Sequence, residues 1–470
     1  MNAAPGLVAD PAPAGGIHLP SGADRSLPSL EELRTLPASQ QPDYDDRAEL
    51  DRVVGELRTL PPLVFAGECD TLLARLGDVA QGNAFVLQGG DCAETLAGVR
   101  ADAIRNTLRT LLSMSIVLTY AGGVPVVKLG RIAGQYFKPR SKPTETRDGV
   151  ELPAYRGDAV NGFPFTADSR RPDPDRLLRV YYASAATLNL VRAFTAGGEA
   201  DLRQVHAWNS MFVRDNPAGR RYEQLAAEIE KAIAFMRACG VGSESFHTVN
   251  LYSSHEGLLL DYEHAMTRID SRTGRPYDTS GHFVWVGERT RRLDGAHMRL
   301  AASVHNPVGV KLGPTTTVED ALGYARLLNP DNVPGRLTFI TRMGAGRVRE
   351  VLPPILRGVT DAGVSVAWIC DPMHGNTFET DGGYKTRRFD DVLDEVHGFF
   401  DVHRELGTWP GGLHVELSGE EVTECVGGGY ALDEAGLSAR YETLCDPRLN
   451  RGQSLELAFL VAEMLARTSG

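Results

Sequence analysis

The segment 370-CDPMHGNT-377 brings a thiol, a carboxylate, a thioether and an imidazole together within five residues. It follows the apolar run 364-VSVAWI-369 and ends in Gly-Asn, a pair typical of turns. Two interpretations are open at this point. The residues either form an ordinary junction between a strand and a loop, or supply part of a metal site whose other ligands lie far away in the sequence.

Candidate ligands occur at the ends of other predicted strands as well. A thiolate, an imidazole and two carboxylates together suit a borderline divalent transition ion such as Mn, Fe, Co or Zn. Calcium and magnesium would not favour the thiolate or the imidazole. Taken singly, each residue has an ordinary structural interpretation, and the spacings do not form a zinc-finger pattern. The four candidate ligands are Cys92, His374, Glu416 and Asp446.

Neighbouring residues compete for the same roles. His414 and Glu416 are two apart on one predicted strand and therefore face the same way, and Glu416 is preferred because it lies nearer the C-terminal end. Cys445 and Cys370 flank the site. They are either passive neighbours or make it sensitive to oxidation through a disulfide with Cys92. Structural packing is the preferred interpretation for Cys69, Cys239 and Cys425.

A second set of candidate site residues is cationic. Lys128 and Lys311 lie inside apolar runs, where an unpaired ammonium is costly to bury. Lys311 precedes 312-LGP-314, so its head is expected to reach the strand end and meet an anion. Pairing with a local acid such as Glu288 explains any single member, whereas cations at the ends of several strands favour an anionic substrate. The set is Arg131, Lys138, Arg140, Arg289, Lys311 and Arg342.

The rest of the sequence predicts the elements that must position these residues. A short apolar run, then polar or charged residues, then a helical pattern recur eight times along the chain. Alternating strands and helices favour an α/β fold with a parallel sheet, and eight units favour a (β/α)8 TIM barrel whose site lies at the C-terminal strand ends. The runs are 84-AFVLQGGDCAE-94, 124-VPVVKLGRIAG-134, 246-FHTVNLYSSHE-256, 282-HFVWVGERTR-291, 307-PVGVKLGP-314, 337-LTFITRMG-344, 364-VSVAWICDPMHG-375 and 412-GLHVELSGEE-421.

Three regions are predicted along the chain. Residues 1–27 are rich in Pro, Gly and Ala and read as a flexible N-terminal arm, followed by a helical extension over 28–80. Residues 81–470 form the catalytic barrel. More than a hundred residues separate its second and third strands, so extra helices are expected to be inserted there, at about 165–240.

Composition and charge limit the classes of function. Hydrophobic content of 42% and charged content of 23% are ordinary for a soluble globular protein, and no apolar run reaches the roughly 18–20 residues of a membrane span. Six cysteines in 470 residues without a secretory signal predict the cytoplasm. The net charge of −12 argues against nonspecific nucleic-acid binding, but not against a small anionic substrate.

Seven motifs, taken together, closely resemble the type II (class II) 3-deoxy-D-arabino-heptulosonate 7-phosphate (DAHP) synthases, in their bacterial, actinomycete-like branch. The likeness runs from about residue 40 to the C-terminus with matching order and spacing. The motifs are 88-QGGDCAE-94, 131-RIAGQYFKPRS-141, 155-YRGD-158, 287-GERTR-291, 307-PVGVKLGP-314, 371-DPMHGNT-377 and 442-ETLCDPRLN-450.

The resemblance implies a barrel that condenses phosphoenolpyruvate with erythrose 4-phosphate, the first step of the shikimate pathway to chorismate and the aromatic amino acids. It implies that the four candidate ligands hold a divalent metal, Mn²⁺ first, with Co²⁺, Zn²⁺ or Cd²⁺ as substitutes. Lys138, Arg140 and Ser141 would face both substrates, and Lys138 is the candidate proton donor to the new hydroxyl. Phosphoenolpyruvate would be held by Arg131, Arg289, Lys311, Arg342 and the backbone of Glu288.

Departures from the usual family residues occur in 342-RMGAGRVRE-350, 418-SGEEVTEC-425 and 314-PTTT-317, and none removes a predicted ligand. These departures leave open a second interpretation, in which the chain is a paralogue that serves a secondary-metabolite pathway and uses an amino-sugar phosphate as acceptor. A non-catalytic partner of chorismate mutase would have lost ligands or cations. A metal-dependent hydrolase or class II aldolase would leave the arginines without a use.

The resemblance also implies a homodimer or homotetramer that associates with a chorismate mutase. The C-terminal segment 454-SLELAFLVAEML-465 is compatible with such a partner, but its apolar residues recur at helical spacing. A helix that packs on the barrel is therefore the preferred interpretation.

Overall fold

The structure is a computed structural model, and it describes residues 26–196, 202–215, 222–239 and 250–468. Residues 1–25 of the predicted N-terminal arm lie outside the described residues. Between residue 26 and the barrel lie three helices: α1 (Leu30–Thr35), α2 (Arg47–Thr59) and α3 (Ala66–Ala80). The start of α1 is fixed by a capping box, in which the Ser29 hydroxyl accepts the Glu32 N–H and the Glu32 carboxylate accepts the Ser29 N–H.

Eight parallel strands close into a barrel, in which each strand pairs with the strands before and after it along the chain. The first and last strands also pair, with Gly90 beside Glu416, and this pairing closes the ring. The strands are β1 (Phe85–Gly90), β2 (Val126–Arg131), β3 (Leu251–Glu256), β4 (Phe283–Val286), β5 (Val308–Leu312), β6 (Leu337–Thr341), β7 (Ala367–Cys370) and β8 (Gly412–Glu416).

The predicted (β/α)8 barrel is confirmed, because each of the eight apolar runs contains one barrel strand. Side chains from successive strands pack together inside the ring. The interior is therefore a filled core, and chemistry is left to the C-terminal rim. One interior cluster contains Val86, Leu129, Tyr252, Trp285, Ile340 and Ile369.

The remaining helices surround the barrel or decorate it. Helices α5 to α8 lie between β2 and β3, which confirms the predicted helical insertion. The remaining helices are α4 (Ala101–Gly122), α5 (Ala167–Arg170), α6 (Asp175–Ala196), α7 (Leu202–Asp215), α8 (Glu223–Ala238), α9 (Leu260–Met266), α10 (Ala296–Ser303), α11 (Val318–Leu328), α12 (Val348–Asp361), α13 (Phe389–Glu405) and α14 (Arg451–Thr468).

Three antiparallel hairpins outside the barrel were not predicted from the sequence. They consist of Thr144–Arg147 with Val150–Pro153, Thr267–Ile269 with Pro276–Asp278, and Thr377–Glu379 with Lys385–Arg387. Their strands are three or four residues long, too short to show a clear alternation of apolar and polar residues. The third hairpin follows β7 and stands beside the candidate site.

The C-terminal helix α14 packs against α4. Its Phe459 ring stacks on Tyr222, with ring centroids 4.4 Å apart, and on Phe212. The apolar face that the sequence shows is thus buried within the chain. Within the described part of the chain, every helix is too short or too polar to cross a bilayer.

Two buried carboxyl groups share one hydroxyl next to β3. Ser280 Oγ lies 2.7 Å from a Glu263 carboxylate oxygen and 2.6 Å from Asp278 Oδ1. The other Glu263 oxygen lies 3.1 Å from His255 Nε2. One hydroxyl proton cannot serve two carboxylates, so one carboxyl group carries a proton. Consistent with this, burial raises the pKa of Glu263 to about 7 and the pKa of Asp278 above its usual range.

The free energy of unfolding is expected to fall as the pH rises from about 4.5 to about 7. The folded pKa of Glu263 is raised above its ordinary value of 4.5, so the folded state binds more protons in this interval and loses that advantage as the proton leaves. Over this whole interval the loss in the free energy of unfolding due to Glu263 is about 3 kcal/mol, since each unit of pKa difference corresponds to about 1.4 kcal/mol. Glu263→Gln should flatten the pH dependence of the thermal midpoint, and equal slopes in both proteins would contradict the assignment.

Candidate active site

The predicted metal ligands come together at the rim of the barrel. Cys92 follows β1, Glu416 ends β8, and Asp446 lies on the loop beyond β8. The Cys92 sulfur and one carboxylate oxygen each of Glu416 and Asp446 lie within 4.8 Å of one another. His374, from the loop after β7, places Nε2 3.0 Å from Glu416 Oε1. Three of the four candidates therefore form one cluster, and the fourth joins it through Glu416.

His374 is oriented by the carboxylate of Asp371, whose oxygens lie 2.8 and 3.0 Å from Nδ1. A histidine that binds a metal through one ring nitrogen commonly donates the other N–H to a carboxylate. Burial alone would raise the pKa of Asp371, but the charges of His374 and Lys311 hold it well below its usual range. Asp371 therefore stays ionised and leaves Nε2 of His374 directed at the cluster.

Lys138 places its ammonium among the candidate ligands. Nζ lies 2.9 Å from the Cys92 sulfur, 2.7 Å from Asp446 Oδ2 and 3.4 Å from Glu416 Oε1. Burial would lower the pKa of Lys138, but the Asp446, Cys92 and Glu416 charges raise it well above its usual range. Lys138 is therefore an ammonium at neutral pH and holds a proton close to the ligand atoms.

The two oxygens of Glu416 face different partners. Arg131 lies 3.1 Å from Oε1, the oxygen that also faces Lys138 and His374. Arg387 lies 2.9 Å from Oε2, as an ion contact without hydrogen-bond alignment. Burial would raise the pKa of Glu416, but the charges of His374, Lys138 and Arg387 lower it well below its usual range. One ionised oxygen is thus directed at the cluster.

The donor set fits a divalent transition ion. It combines a sulfur, an imidazole nitrogen and two carboxylate oxygens, which suits a borderline cation better than a hard one. Burial raises the pKa of the Cys92 thiol, so binding an ion through this sulfur would release its proton. Cys92 and Cys445 are buried free thiols that pack in one cluster, and both interpretations of Cys445, passive neighbour or disulfide partner, still apply.

Most of the N–H groups of Arg131 bond to other groups of the protein. It donates to the carbonyl oxygens of Asp91 and Cys92, and its Nη1 lies 2.7 Å from His414 Nε2. His414 Nδ1 in turn lies 2.7 Å from Gln88 Oε1, so both ring nitrogens of His414 have protein partners. Arg131 lines the cavity with part of its guanidinium while it fixes the loop that carries Cys92.

A cavity of about 450 Å³ opens above the cluster, and all eight predicted substrate-binding residues line it. Lys311 Nζ lies 2.6 Å from Asp371, and Arg342 donates to the His374 carbonyl oxygen at 2.7 Å. Arg289 donates to the Ser141 hydroxyl at 2.8 Å. The cationic lining residues are Arg131, Lys138, Arg140, Lys142, Arg289, Lys311, Arg342 and Lys385.

Two more of the predicted residues form salt bridges at the cavity. Glu145 accepts from Arg140 at 3.2 Å, and Glu288 accepts from Arg291 at 2.7 Å. The second oxygen of Glu288 is buried without a hydrogen-bond partner among the described residues. Eight cations still face five acidic lining residues, so the cavity favours an anionic occupant.

Lys385 and Arg387 are charged residues of the site that were not predicted from the sequence. Lys385 lines the cavity with Nζ 3.7 Å from Asp446 Oδ1. Arg387, fully buried, joins the hairpin to the cluster, since it donates to Thr377 Oγ1 at 2.9 Å and contacts Glu416. Both lie in the charged stretch 385-KTRR-388, which by itself resembles an exposed loop. Only a predicted hairpin between residues 377 and 387 would have placed these two residues at the site.

Comparison with known proteins decides the family. A family model described as the class-II DAHP synthetase family matches residues 28–462. The chain belongs to the class-II DAHP synthetase family. This confirms the predicted family and the predicted enzyme, a DAHP synthase. Synthases of this class generally depend on a divalent metal, and the Cys92, Glu416 and Asp446 cluster is a candidate site for one.

Curated relatives agree over nearly the whole chain. The chain is 66% identical over 431 residues to a phospho-2-dehydro-3-deoxyheptonate aldolase of Streptomyces coelicolor, covering 92% of this chain and 96% of that protein. It is 53% identical over 453 residues to phospho-2-dehydro-3-deoxyheptonate aldolase AroG of Mycolicibacterium smegmatis, covering 95% of this chain and 97% of that protein. Neither name points to an amino-sugar acceptor or to a non-catalytic partner.

A solved structure also matches, that of phospho-2-dehydro-3-deoxyheptonate aldolase from Francisella tularensis SCHU S4. The match covers 92% of this chain and 100% of that chain, with a TM-score of 0.43 and 10% identity. The barrel described above rests on the strand pairing and not on this match.

Proposed function

We propose that the chain condenses phosphoenolpyruvate with erythrose 4-phosphate and water to give DAHP and phosphate, the first step of the shikimate pathway. The observation that carries the proposal is the placement of a transition-metal donor set at the base of a cavity lined by eight cations. Two phosphorylated substrates bring several negative charges into this space. Cations held at fixed positions neutralise them without reorganising during the reaction.

The reaction balances with these groups. Carbon 3 of phosphoenolpyruvate forms a bond to the aldehyde carbon, water adds at carbon 2, and the bond from carbon 2 to the phosphate oxygen breaks. The divalent ion, when bound, supplies a Lewis acid for the aldehyde oxygen. The chain binds and orients both substrates in one pose, which lowers the entropic part of the barrier.

Individual residues take separate parts in this proposal. Phosphoenolpyruvate is held by Arg131, Arg289, Lys311 and Arg342, with Glu288 through its backbone. Arg131 also fixes the Cys92 loop. Arg140 and Ser141 bind the aldose phosphate. Lys138 gives a proton to the new hydroxyl, since it is an ammonium beside the cluster at neutral pH. The ligands of the ion are Cys92, His374, Glu416 and Asp446.

Further features of the enzyme belong to the same proposal. The preferred ion is Mn²⁺, with Co²⁺, Zn²⁺ or Cd²⁺ as substitutes, as the resemblance to the family implies. The working form is a homodimer or homotetramer in the cytoplasm, with a chorismate mutase as partner. Residues 28–80 serve as an extension to a catalytic unit over 81–470.

The test is a turnover measurement after removal of metal. Phosphoenolpyruvate loss and phosphate release with erythrose 4-phosphate are followed in chelator-treated protein, then after addition of Mn²⁺ or Co²⁺. We expect activity to be lost with the metal and regained on its return. Absence of turnover with every ion tested would overturn the proposal, and turnover with an amino-substituted aldose phosphate instead would redirect it to the amino-sugar reaction.

A further inference from the structure

Two loops of the rim touch each other next to the cavity. One follows β6 and carries Arg342, and the other follows β7 and carries His374. The Arg342 guanidinium donates to the His374 carbonyl oxygen at 2.7 Å. A Cβ added at Gly375 would lie 2.5 Å from the Gly344 nitrogen, so the backbones are in direct contact.

A buried carboxyl group behind these loops binds both of them, and burial raises its pKa to about 8. Glu395, on α13, is fully buried. Its Oε1 accepts the N–H groups of Met343 and Gly344 at 2.7 and 2.9 Å. Its Oε2 accepts the Asn376 side-chain amide at 2.7 Å. One side chain therefore anchors the β6 loop by its backbone and the β7 loop by an amide.

The Asn376 amide is fixed in one orientation. Its oxygen accepts the Ala345 N–H at 3.0 Å, and its nitrogen donates to the Pro372 carbonyl oxygen at 2.8 Å as well as to Glu395. Turning the amide over would place oxygen against oxygen at Pro372 and nitrogen against N–H at Ala345. Asn376 thus requires an acceptor at the position of Glu395 Oε2.

We propose that Glu395 is a positioning residue that holds Arg342 and His374 in a fixed relation, so that one buried side chain sets both the phosphoenolpyruvate site and the metal site. The proposal rests on the proposed function for the roles of Arg342 and His374. Glu395 is neither among the residues that line the cavity nor in the ligand cluster. It acts through the backbone at 343–344 and through Asn376, and the two sites are expected to weaken together when it is changed.

Glu395→Gln is the test, because it keeps the shape of the side chain and its acceptor for the two backbone N–H groups. It places an NH₂ against the Asn376 NH₂, so the β7 loop must shift. We expect the KM for phosphoenolpyruvate and the Kd for Mn²⁺ each to rise about tenfold, the lower end of the effect of such supporting residues. The kcat at saturation and the KM for erythrose 4-phosphate should stay within about threefold.

Mn²⁺ binding is measured by calorimetry on chelator-treated, desalted protein, so that this readout does not depend on turnover. Asp394→Asn, on the same helix with an exposed carboxylate paired to Arg349, is the matched control and should leave both constants unchanged. A lower thermal midpoint with unchanged KM and Kd would overturn the proposal. If the wild type binds Mn²⁺ but fails to turn over, the proposed function fails, and the Mn²⁺ comparison still decides the role of Glu395.

Discussion

Cys92→Ala is expected to lower metal-dependent turnover by about a thousandfold or more. The thiol is a predicted ligand at the centre of the cluster, and a Lewis-acid ion contributes several kcal/mol, at 1.36 kcal/mol per factor of ten. The side chain is small and buried, so its removal leaves a modest cavity and the fold should persist. The measurement is phosphate release at saturating Mn²⁺, with Mn²⁺ affinity from calorimetry beside it.

Cys69→Ala is the matched control for this variant. Cys69 is also a buried thiol, but it lies on α3, outside the ligand cluster and the cavity. We expect it to lose some thermal stability and to retain wild-type turnover per folded molecule. Turnover of Cys92→Ala within tenfold of the wild type, with an unchanged Mn²⁺ affinity, would show that Cys92 is not a ligand.

Lys138→Met is expected to separate turnover from metal binding. The ammonium lies 2.7 to 3.4 Å from three candidate ligand atoms, so it competes with a divalent ion for the same oxygens and sulfur. Without it, Mn²⁺ should bind at least as tightly as in the wild type. Turnover should fall between about a hundredfold and about ten-thousandfold, the usual range for loss of a general acid.

Lys128→Met serves as the control for loss of a buried lysine on the same stretch of chain. Lys128 lies within β2 and donates to the Val126 carbonyl oxygen at 3.0 Å, and burial lowers its pKa to about 8. We expect turnover and Mn²⁺ affinity close to those of the wild type. If Lys138→Met loses Mn²⁺ affinity in parallel with turnover, the ammonium organises the ligands and is not the proton donor.

The barrel could be predicted because its signal is local and repeated. Each strand is a short buried run with polar residues at its C-terminal end, and eight such runs leave few other architectures. Cys92, His374 and Glu416 follow directly from that repetition, since each lies at or just past a strand end. Asp446 does not, because it lies on a loop thirty residues beyond β8 and not at a strand end.

The supporting residues could not be predicted because they act through contacts between distant segments. Arg387 reaches Glu416 because it lies on a hairpin whose two strands have three residues each. Such strands are too short to show an alternation of apolar and polar residues in the sequence. Glu395 occupies an ordinary buried position on an amphipathic helix, and its partners lie on two loops, about fifty residues away at Met343 and Gly344 and 19 residues away at Asn376. Arg131 was predicted as a substrate residue, but its hydrogen bonds to the Cys92 loop depend on side-chain placement that sequence does not give.

The pairing of the first and last strands has a consequence for biosynthesis of the chain. Cys92 and Glu416 lie at the two sides of the seam where β1 meets β8, and Asp446 comes later still. If these residues hold the ion as proposed, nearly the entire polypeptide must be synthesised before all of its ligands exist, so metal uptake would report a finished barrel. An ion held by Cys92 and Glu416 would join the two ends of the ring. At a free ion concentration of a hundred times Kd, binding would raise the free energy of unfolding by about 2.7 kcal/mol.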